Sequence, residues 1–227
     1  MVALTGAGVS AESGVPTFRD AQVGLWERYD PRDLATPEAF ARDPDLVWAW
    51  YSWRRKLVSG ARPNAAHIAL AELERRTPSF TLVTQNVDGL HQRAGSENVL
   101  ELHGNILRTH CSSEGLPVEL DEGVEGTPVC PNCGAPLRPG VVWFGEMLPE
   151  TEIAAASDAV RGCDLILSVG TSGLVYPAAA LPYDAQAAGA TVVEVNLGET
   201  SLTEFADFFL RAEAGDVLPR LVRAAFG

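Results

Sequence analysis

Lysine is almost missing from this chain: Lys56 is the only one in 227 residues, so arginine carries nearly all the positive charge. Basic residues number 17 against 30 acidic ones, a formal charge of −13. A field of that sign repels nucleic acid and favours basic ligands such as cationic protein tails, so no direct nucleic-acid binding is expected. No apolar run approaches the roughly 18 residues of a membrane span, and no membrane association is expected. No secretory signal is read ahead of the first apolar segment, which points to a cytoplasmic location. Repeats and low-complexity tracts are missing too. The chain holds four cysteines, Cys111, Cys130, Cys133 and Cys163. The first three flank a Gly/Pro-rich stretch, which fits metal binding in a reducing compartment better than a disulfide framework. What remains is 46% hydrophobic and 21% charged, a globular composition sized for one domain with a smaller inserted module.

Short apolar runs alternate with helical patterns. VALT (2–5) ends in Gly6-Ala7-Gly8, as a buried parallel strand does on entering a turn. The polar stretch 12–24 follows, too rich in Gly, Pro, Ser and Asp for regular structure. Thr36-Pro37 and Asp43-Pro44 each open a helix within 37–59, and Asn64 is a plausible cap for an amphipathic helix over 64–76. FTLVTQN (80–86) reads as the second strand, and ENVLELHG (97–104) contains the third. Residues 108–139 have Cys, Gly and Pro punctuation with little periodicity and read as the inserted module. VVWFGE (141–146) resumes an extended segment. A helix over 150–161, a strand within 163–172, an Ala-rich helix over 177–188, a strand over 191–198 and a terminal helix over 216–226 complete the chain. The alternation predicts an α/β fold with a Rossmann-like, doubly wound parallel sheet.

The chemistry-bearing residues are concentrated in a few segments. Gly6-Ala7-Gly8-Val9-Ser10-Ala11 fits the glycine-rich turn that lets a backbone approach a pyrophosphate. A redox dinucleotide enzyme adds an acid at the end of its second strand for a ribose hydroxyl, but here that strand ends Thr84-Gln85-Asn86. TQNVDGLH (84–91) and ELHG (101–104) add an amide, a carboxylate and an imidazole in Asn86, Asp88 and His103. With GAGVSAESGVPTFRD (6–20), the Cys-x-x-Cys module, RPGVVWFGE (138–146), GTSGLVYPA (170–178) and VNLGE (195–199), the chain resembles the sirtuins. The motifs stand in that family's order and cover residues 2–199.

The resemblance implies an NAD-dependent protein-lysine deacylase that consumes NAD and releases nicotinamide, free lysine and 2′-O-acyl-ADP-ribose. It implies a large NAD-binding domain of residues 1–23, 62–107 and 140–227. The small domain would combine a helical module (24–61) with a zinc module (108–139). Carried over by motif, Gly6, Ala7, Gly8 and Ser10 would line the pyrophosphate, and Phe18 and Arg19 would cover the nicotinamide ribose. Gln85, Asn86 and Asp88 would hold the ribose and nicotinamide pocket. Gly170, Thr171, Ser172, Asn196, Leu197, Gly198 and Ala214 would serve the adenosine half. The substrate acyl oxygen would attack the ribose carbon as nicotinamide leaves, and His103 would act as general base on a ribose hydroxyl, a task for a group that titrates near working pH. His67 and His91 are read as structural. Val141, Trp143, Gly145 and Glu146 fall in the segment where the family pairs with an extended acyl-lysine peptide. A monomer acting on acyl-lysine proteins is expected.

Tyr51-Ser52-Trp53-Arg54 bears on the acyl group. Residues three apart on a helix share a face, and a phenol with a guanidinium can clamp a carboxylate. The pattern is similar to the Tyr-x-x-Arg of class III sirtuins, which remove succinyl, malonyl and glutaryl groups. It implies preferential desuccinylation or demalonylation with residual deacetylation. A plain deacetylase and a mono-ADP-ribosyltransferase are the enzymatic alternatives on the same scaffold. The metal site is less complete. Cys130 and Cys133 form a full pair, but Cys111-Ser112-Ser113-Glu114 has Glu114 where the family has a cysteine. Cys111, Cys130 and Cys133 would bind zinc with Glu114 or His110 as a fourth ligand, or the site would hold none. Cys163 is read as a core residue.

Overall fold

The computed structural model describes residues 1–17, 29–120 and 126–227. Its centre is a six-stranded parallel sheet. Strand β1 (Val2–Thr5) runs into α1 (Ala7–Ala11), followed by α2 (Pro31–Leu34), α3 (Pro37–Arg42), α4 (Pro44–Gly60) and α5 (Ala65–Arg76). Strand β2 (Thr81–Thr84), α6 (Leu90–Arg93) and β3 (Val99–Glu101) precede a separate antiparallel pair, β4 (Gly104–Cys111) and β5 (Leu137–Val141). The chain then returns through α7 (Glu150–Arg161), β6 (Leu165–Val169), α8 (Leu181–Ala187), β7 (Thr191–Asn196), β8 (Phe208–Arg211) and α9 (Ala214–Phe226). The sheet order is β3-β2-β1-β6-β7-β8. Chain order therefore reverses between β1 and β6, and the crevice at the carboxyl ends of those two strands is where a doubly wound sheet takes its ligand.

Strand pleating explains the two-sided core. Val2 and Leu4 pack with Ile166, Val192 and the α7 and α8 residues Ala156, Val160, Leu181 and Ala185. Ala3 faces the other way, with Leu82, Leu167, Val195 and the α5 and α9 residues Leu70, Leu73 and Leu218. Successive side chains alternate sides, so each strand serves both layers of helices.

The helix starts follow the sequence chemistry. Thr36 accepts from the backbone N–H of Ala39 at 3.1 Å, and Asp43 from that of Leu46 at 3.0 Å. Asn64 accepts from Ala66 N at 2.9 Å, and its own backbone N–H reaches His67 Nδ1 at 3.3 Å, closing a capping box. Each contact satisfies a donor that a helix terminus leaves open.

Over the β4–β5 pair lies the helical segment 31–60. Val47, Trp50 and Tyr51 of α4 pack with Leu34, Ile106, Val141 and Trp143. On the same helix, Trp48 joins Cys111, Cys130 and Leu137, and its indole N–H donates to the Leu137 carbonyl at 2.6 Å. The extended segment expected over 141–146 is corrected: β5 ends at Val141, and Glu146 N donates to Trp143 O at 3.1 Å to close a turn around Gly145, whose φ is +88°. The strand expected from Cys163 begins at Leu165, and the one expected over 191–198 ends at Asn196.

Candidate functional site

Three glycines build the floor of the crevice. Gly6 N donates to Val169 O at 3.0 Å and Gly8 N to Gly170 O at 2.8 Å, which ties the turn after β1 to the turn after β6. A Cβ on Gly8 would sit 2.8 Å from both Cα and O of Gly170, and one on Gly6 equally close to Gly170 O. Gly170 adopts φ +61°, and a Cβ there would meet Val9 N at 2.6 Å. The motifs imply Gly6 and Gly8 at a pyrophosphate and Gly170 at the adenosine half. The structure adds a second reason, the mutual packing of two turns with no room for a side chain.

The second rim of the crevice comes from β2. Asn86 is buried and donates both amide hydrogens, to Gly6 O at 3.0 Å and to Ser10 Oγ at 3.1 Å. Asp88 is also buried and accepts from Leu90 N at 2.9 Å across the Gly89 turn. Burial raises the Asp88 pKa above its usual range, opposed by the Leu90 N–H and the Ser10 hydroxyl. Gln85 donates to Thr171 Oγ1 at 2.9 Å, and Asn196 donates to Thr171 O at 2.7 Å. One threonine thus joins the ends of β2, β6 and β7. Ser172 and Gly198 are half-buried beside this junction in sequence, Leu197 is exposed, and Ala214 is buried at the first turn of α9.

His103 follows β3. Its Nδ1 lies 2.9 Å from the carbonyl oxygen of Gln85, an acceptor, so Nδ1 carries the proton and Nε2 is left as the basic nitrogen. Burial lowers its pKa below the ordinary imidazole value, with the Gln85 carbonyl acting in the opposite direction. The two histidines read as structural lie behind the crevice. His67 Nε2 is 3.4 Å from Ser10 Oγ, and His91 Nε2 is 3.0 Å from Thr5 Oγ1. Their rings meet tilted by 51° with centroids 4.8 Å apart, and burial pushes their pKa values down to about 4 and about 3.

Tyr51 and Arg54 share one buried face of α4, as their spacing required. Tyr51 accepts a hydrogen bond from the Trp143 indole N–H at 2.9 Å, and the Arg54 guanidinium lies 5.0 Å from the Trp50 ring centroid. Burial raises the Tyr51 pKa, keeping the phenol neutral, and lowers that of Arg54. Asp88 adds to the field that favours charged Arg54, which ties the α4 face to the β2 rim. The segment 141–146 is held in shape by its own polar contacts. Glu146 forms a two-point ion pair with Arg138, both contacts 2.7 Å, and accepts from Trp143 N at 2.8 Å. Arg138 in turn stacks 3.6 Å over the Trp143 ring. Val141 and Trp143 are buried, and Phe144 and Met147 are exposed beside them. Phe18 and Arg19 lie outside the described residues.

In the small antiparallel pair, the ligand atoms of Cys111, Cys130, Cys133 and Glu114 all lie within 4.8 Å of one another. All four cysteines are unbridged thiols. A tetrahedral zinc ion with Zn–S of about 2.3 Å separates its sulfurs by about 3.8 Å, so the cluster has the right dimensions and donor chemistry for a structural zinc. Among the described residues no helix is long and apolar enough to cross a membrane.

Comparison with known proteins agrees with this geometry. A family model described as "Sir2 family" matches residues 6–177. The chain is 54% identical over 228 residues to the NAD-dependent protein deacylase of Pyrococcus furiosus, covering 97% of this chain and 91% of that one. It is 54% identical to NAD-dependent protein deacylase 1 of Pseudomonas aeruginosa, covering 100% and 94%. Among solved structures, a Sir2 homolog–NAD complex superposes with a TM-score of 0.93 at 52% identity, over 98% of this chain and 88% of the other. A Sir2–p53 peptide–NAD+ complex gives 0.88 at 33% identity, over 99% and 92%. With a glycine-walled crevice at the sheet's switch point and relatives this similar over nearly their whole length, the chain belongs to the Sir2 family.

Proposed function

We propose that the protein is an NAD-dependent lysine deacylase whose preferred substrates carry an acidic acyl group, succinyl or malonyl, and which also removes acetyl. The observation that carries the deacylase reading is the orientation of His103. With Nδ1 donating to Gln85 O at the end of β2, Nε2 is the nitrogen left to accept a proton, and burial lowers the imidazole's pKa. That arrangement suits withdrawal of a proton from a ribose hydroxyl.

Residues 1–23, 62–107 and 140–227 would form the NAD-binding domain, and 24–61 with 108–139 the small domain. The donor set fits a dinucleotide. Gly6, Ala7, Gly8 and Ser10 offer a turn with no side chains in the way of a pyrophosphate. NAD supplies an electrophilic ribose carbon and a leaving nicotinamide. Asn86 has both amide hydrogens committed, so its Oδ1 is the atom it offers to a ligand. Asp88 brings a carboxylate into a desolvated pocket, where its charge is worth more than in water. Gln85, Thr171 and Asn196 hold three strand ends in register, and Gly170, Ser172, Leu197, Gly198 and Ala214 would border the adenosine. By the family resemblance, Phe18 and Arg19 would serve the nicotinamide ribose.

The acidic-acyl preference rests on Tyr51 and Arg54. A substrate carboxylate beside the Arg54 guanidinium and the Tyr51 hydroxyl would accept charge-assisted hydrogen bonds from both. An acetyl group offers nothing to this pair. Val141, Trp143 and Gly145 would bracket the peptide, with Glu146 keeping that turn in shape through Arg138. The test is incubation with NAD and matched acetyl-, malonyl- and succinyl-lysine peptides. The reading expects nicotinamide and acyl-ADP-ribose from all three, fastest from the dicarboxylic acyl groups. Acetyl turnover equal to or faster than succinyl turnover contradicts the preference, and ADP-ribose on the peptide would favour the transferase alternative.

A further inference from the structure

We propose that Glu114 is the fourth ligand of the zinc site, so that this chain holds its metal with three thiolates and one carboxylate. Two turns of the same construction face each other. In the first, Gly115 N donates to Cys111 O at 2.9 Å and Cys111 N to Leu116 O at 2.9 Å. In the second, Gly134 N donates to Cys130 O at 2.9 Å and Cys130 N to Ala135 O at 2.7 Å. Gly115 and Gly134 take nearly the same left-handed φ, +68° and +74°. Glu114 therefore stands in the first turn where Cys133 stands in the second. Its carboxylate is within 4.8 Å of all three sulfurs, and Cys111 Sγ lies 3.4 Å from Cys133 Sγ.

The other candidate from the sequence, His110, is on the wrong side. It neighbours Cys111 on β4, and successive side chains on a strand point to opposite faces. Cys111 is buried with Cys130, Trp48 and Leu137, while the His110 ring feels the charges of Arg138 and Glu146. His110 is absent from the cluster that gathers the three sulfurs and Glu114.

A carboxylate keeps the net charge that a fourth thiolate would give but binds zinc as a harder, weaker donor. Glu114 and Cys133 are exposed, whereas Cys111 and Cys130 are buried. Two buried sulfurs would hold the ion on the protein side, with Cys133 and Glu114 completing the set at the surface.

The test compares wild type with Glu114→Ala, Glu114→Gln and Glu114→Cys in the full chain, and its readouts are independent of deacylation. Zinc content is measured by elemental analysis and affinity by chelator competition, and the metal is exchanged for cobalt(II) to read sulfur-to-metal charge transfer. Wild type should hold stoichiometric zinc. The Ala and Gln variants should bind it on the order of tenfold or more weakly. The Cys variant should raise the cobalt charge-transfer intensity by about a third, from three thiolates to four. Should the Ala variant fail to fold, the isosteric Gln and the Cys variants carry the comparison. Unchanged zinc affinity in Glu114→Gln, a cobalt band unaltered in Glu114→Cys, or wild type without stoichiometric zinc would each overturn the assignment.

Discussion

His103 presents Nδ1 to the carbonyl oxygen of Gln85 at 2.9 Å, and this single contact decides which imidazole nitrogen can take a proton. Replacing His103 with Ala removes the base and leaves the glycine turns intact. Turnover should fall by roughly 100- to 10,000-fold, the usual contribution of a general base, while ADP-ribose binding persists. Burial depresses the His103 pKa, so the basic form is present above pH of about 6.5 and persists somewhat below it. The acid limb of kcat/KM should therefore lie below that of a solvated imidazole. A pH profile whose acid limb lies above the ordinary value would contradict this environment.

Arg54 is buried beside Tyr51 and within the field of Asp88. Arg54→Met keeps bulk and removes charge. Succinyl-lysine turnover should drop far more than acetyl-lysine turnover, with the loss concentrated in KM. Side-by-side kinetics on the two peptides checks it, and an equal loss on both would remove the clamp from the account.

Gly8→Ala would place a methyl 2.8 Å from Gly170 Cα, with backbone on both sides and no flexible group to yield. Overpacking of this kind costs about 1–3 kcal/mol. The melting temperature should fall and NAD affinity with it, read by thermal unfolding and calorimetric titration of ADP-ribose.

His67 and His91 have folded-state pKa values of about 4 and about 3, below the ordinary value of 6.5. The unfolded chain takes up protons at these sites before the folded chain does, so their effect on stability is sign-definite. Stability is fully retained above pH of about 6.5 and declines as pH falls from there towards 4. With two such groups, the slope approaches about 2.7 kcal/mol per pH unit. Denaturant unfolding at pH 7, 6 and 5 measures it. Replacing both histidines with glutamine should flatten that slope.

Much of the fold was legible because local chemistry and tertiary demand agree. Asn64 caps α5 as its sequence position suggested, and α7 spans Glu150–Arg161, the range read from periodicity. The buried parallel strands were visible as apolar runs. Strand β8 was missed because Phe208–Arg211 is a short edge strand, exposed at both ends, with no alternation to mark it. Strand β4 (Gly104–Cys111) straddles the expected start of the cysteine module at 108, and Gly-Asn and Arg-Thr-His interrupt its apolar pattern. Within the site, motif order singled out Asn86, Asp88 and His103, but contacts remote in sequence could not be read. Glu146 lay in a segment expected to meet the peptide, yet its carboxylate is spent on Arg138 and the Trp143 N–H. His67 gave no signal of its proximity to Ser10, which lies 57 residues away in the chain.

The most direct test of the central claim is mass spectrometry of a reaction containing the purified chain, NAD and a succinyl-lysine peptide, with the His103→Ala variant alongside. The account predicts free nicotinamide, unmodified lysine and succinyl-ADP-ribose in equal amounts from the wild type, and roughly 100-fold or more less deacylated peptide and succinyl-ADP-ribose from the variant. NAD and peptide both left intact by the wild type, or equal conversion by the variant, would contradict it.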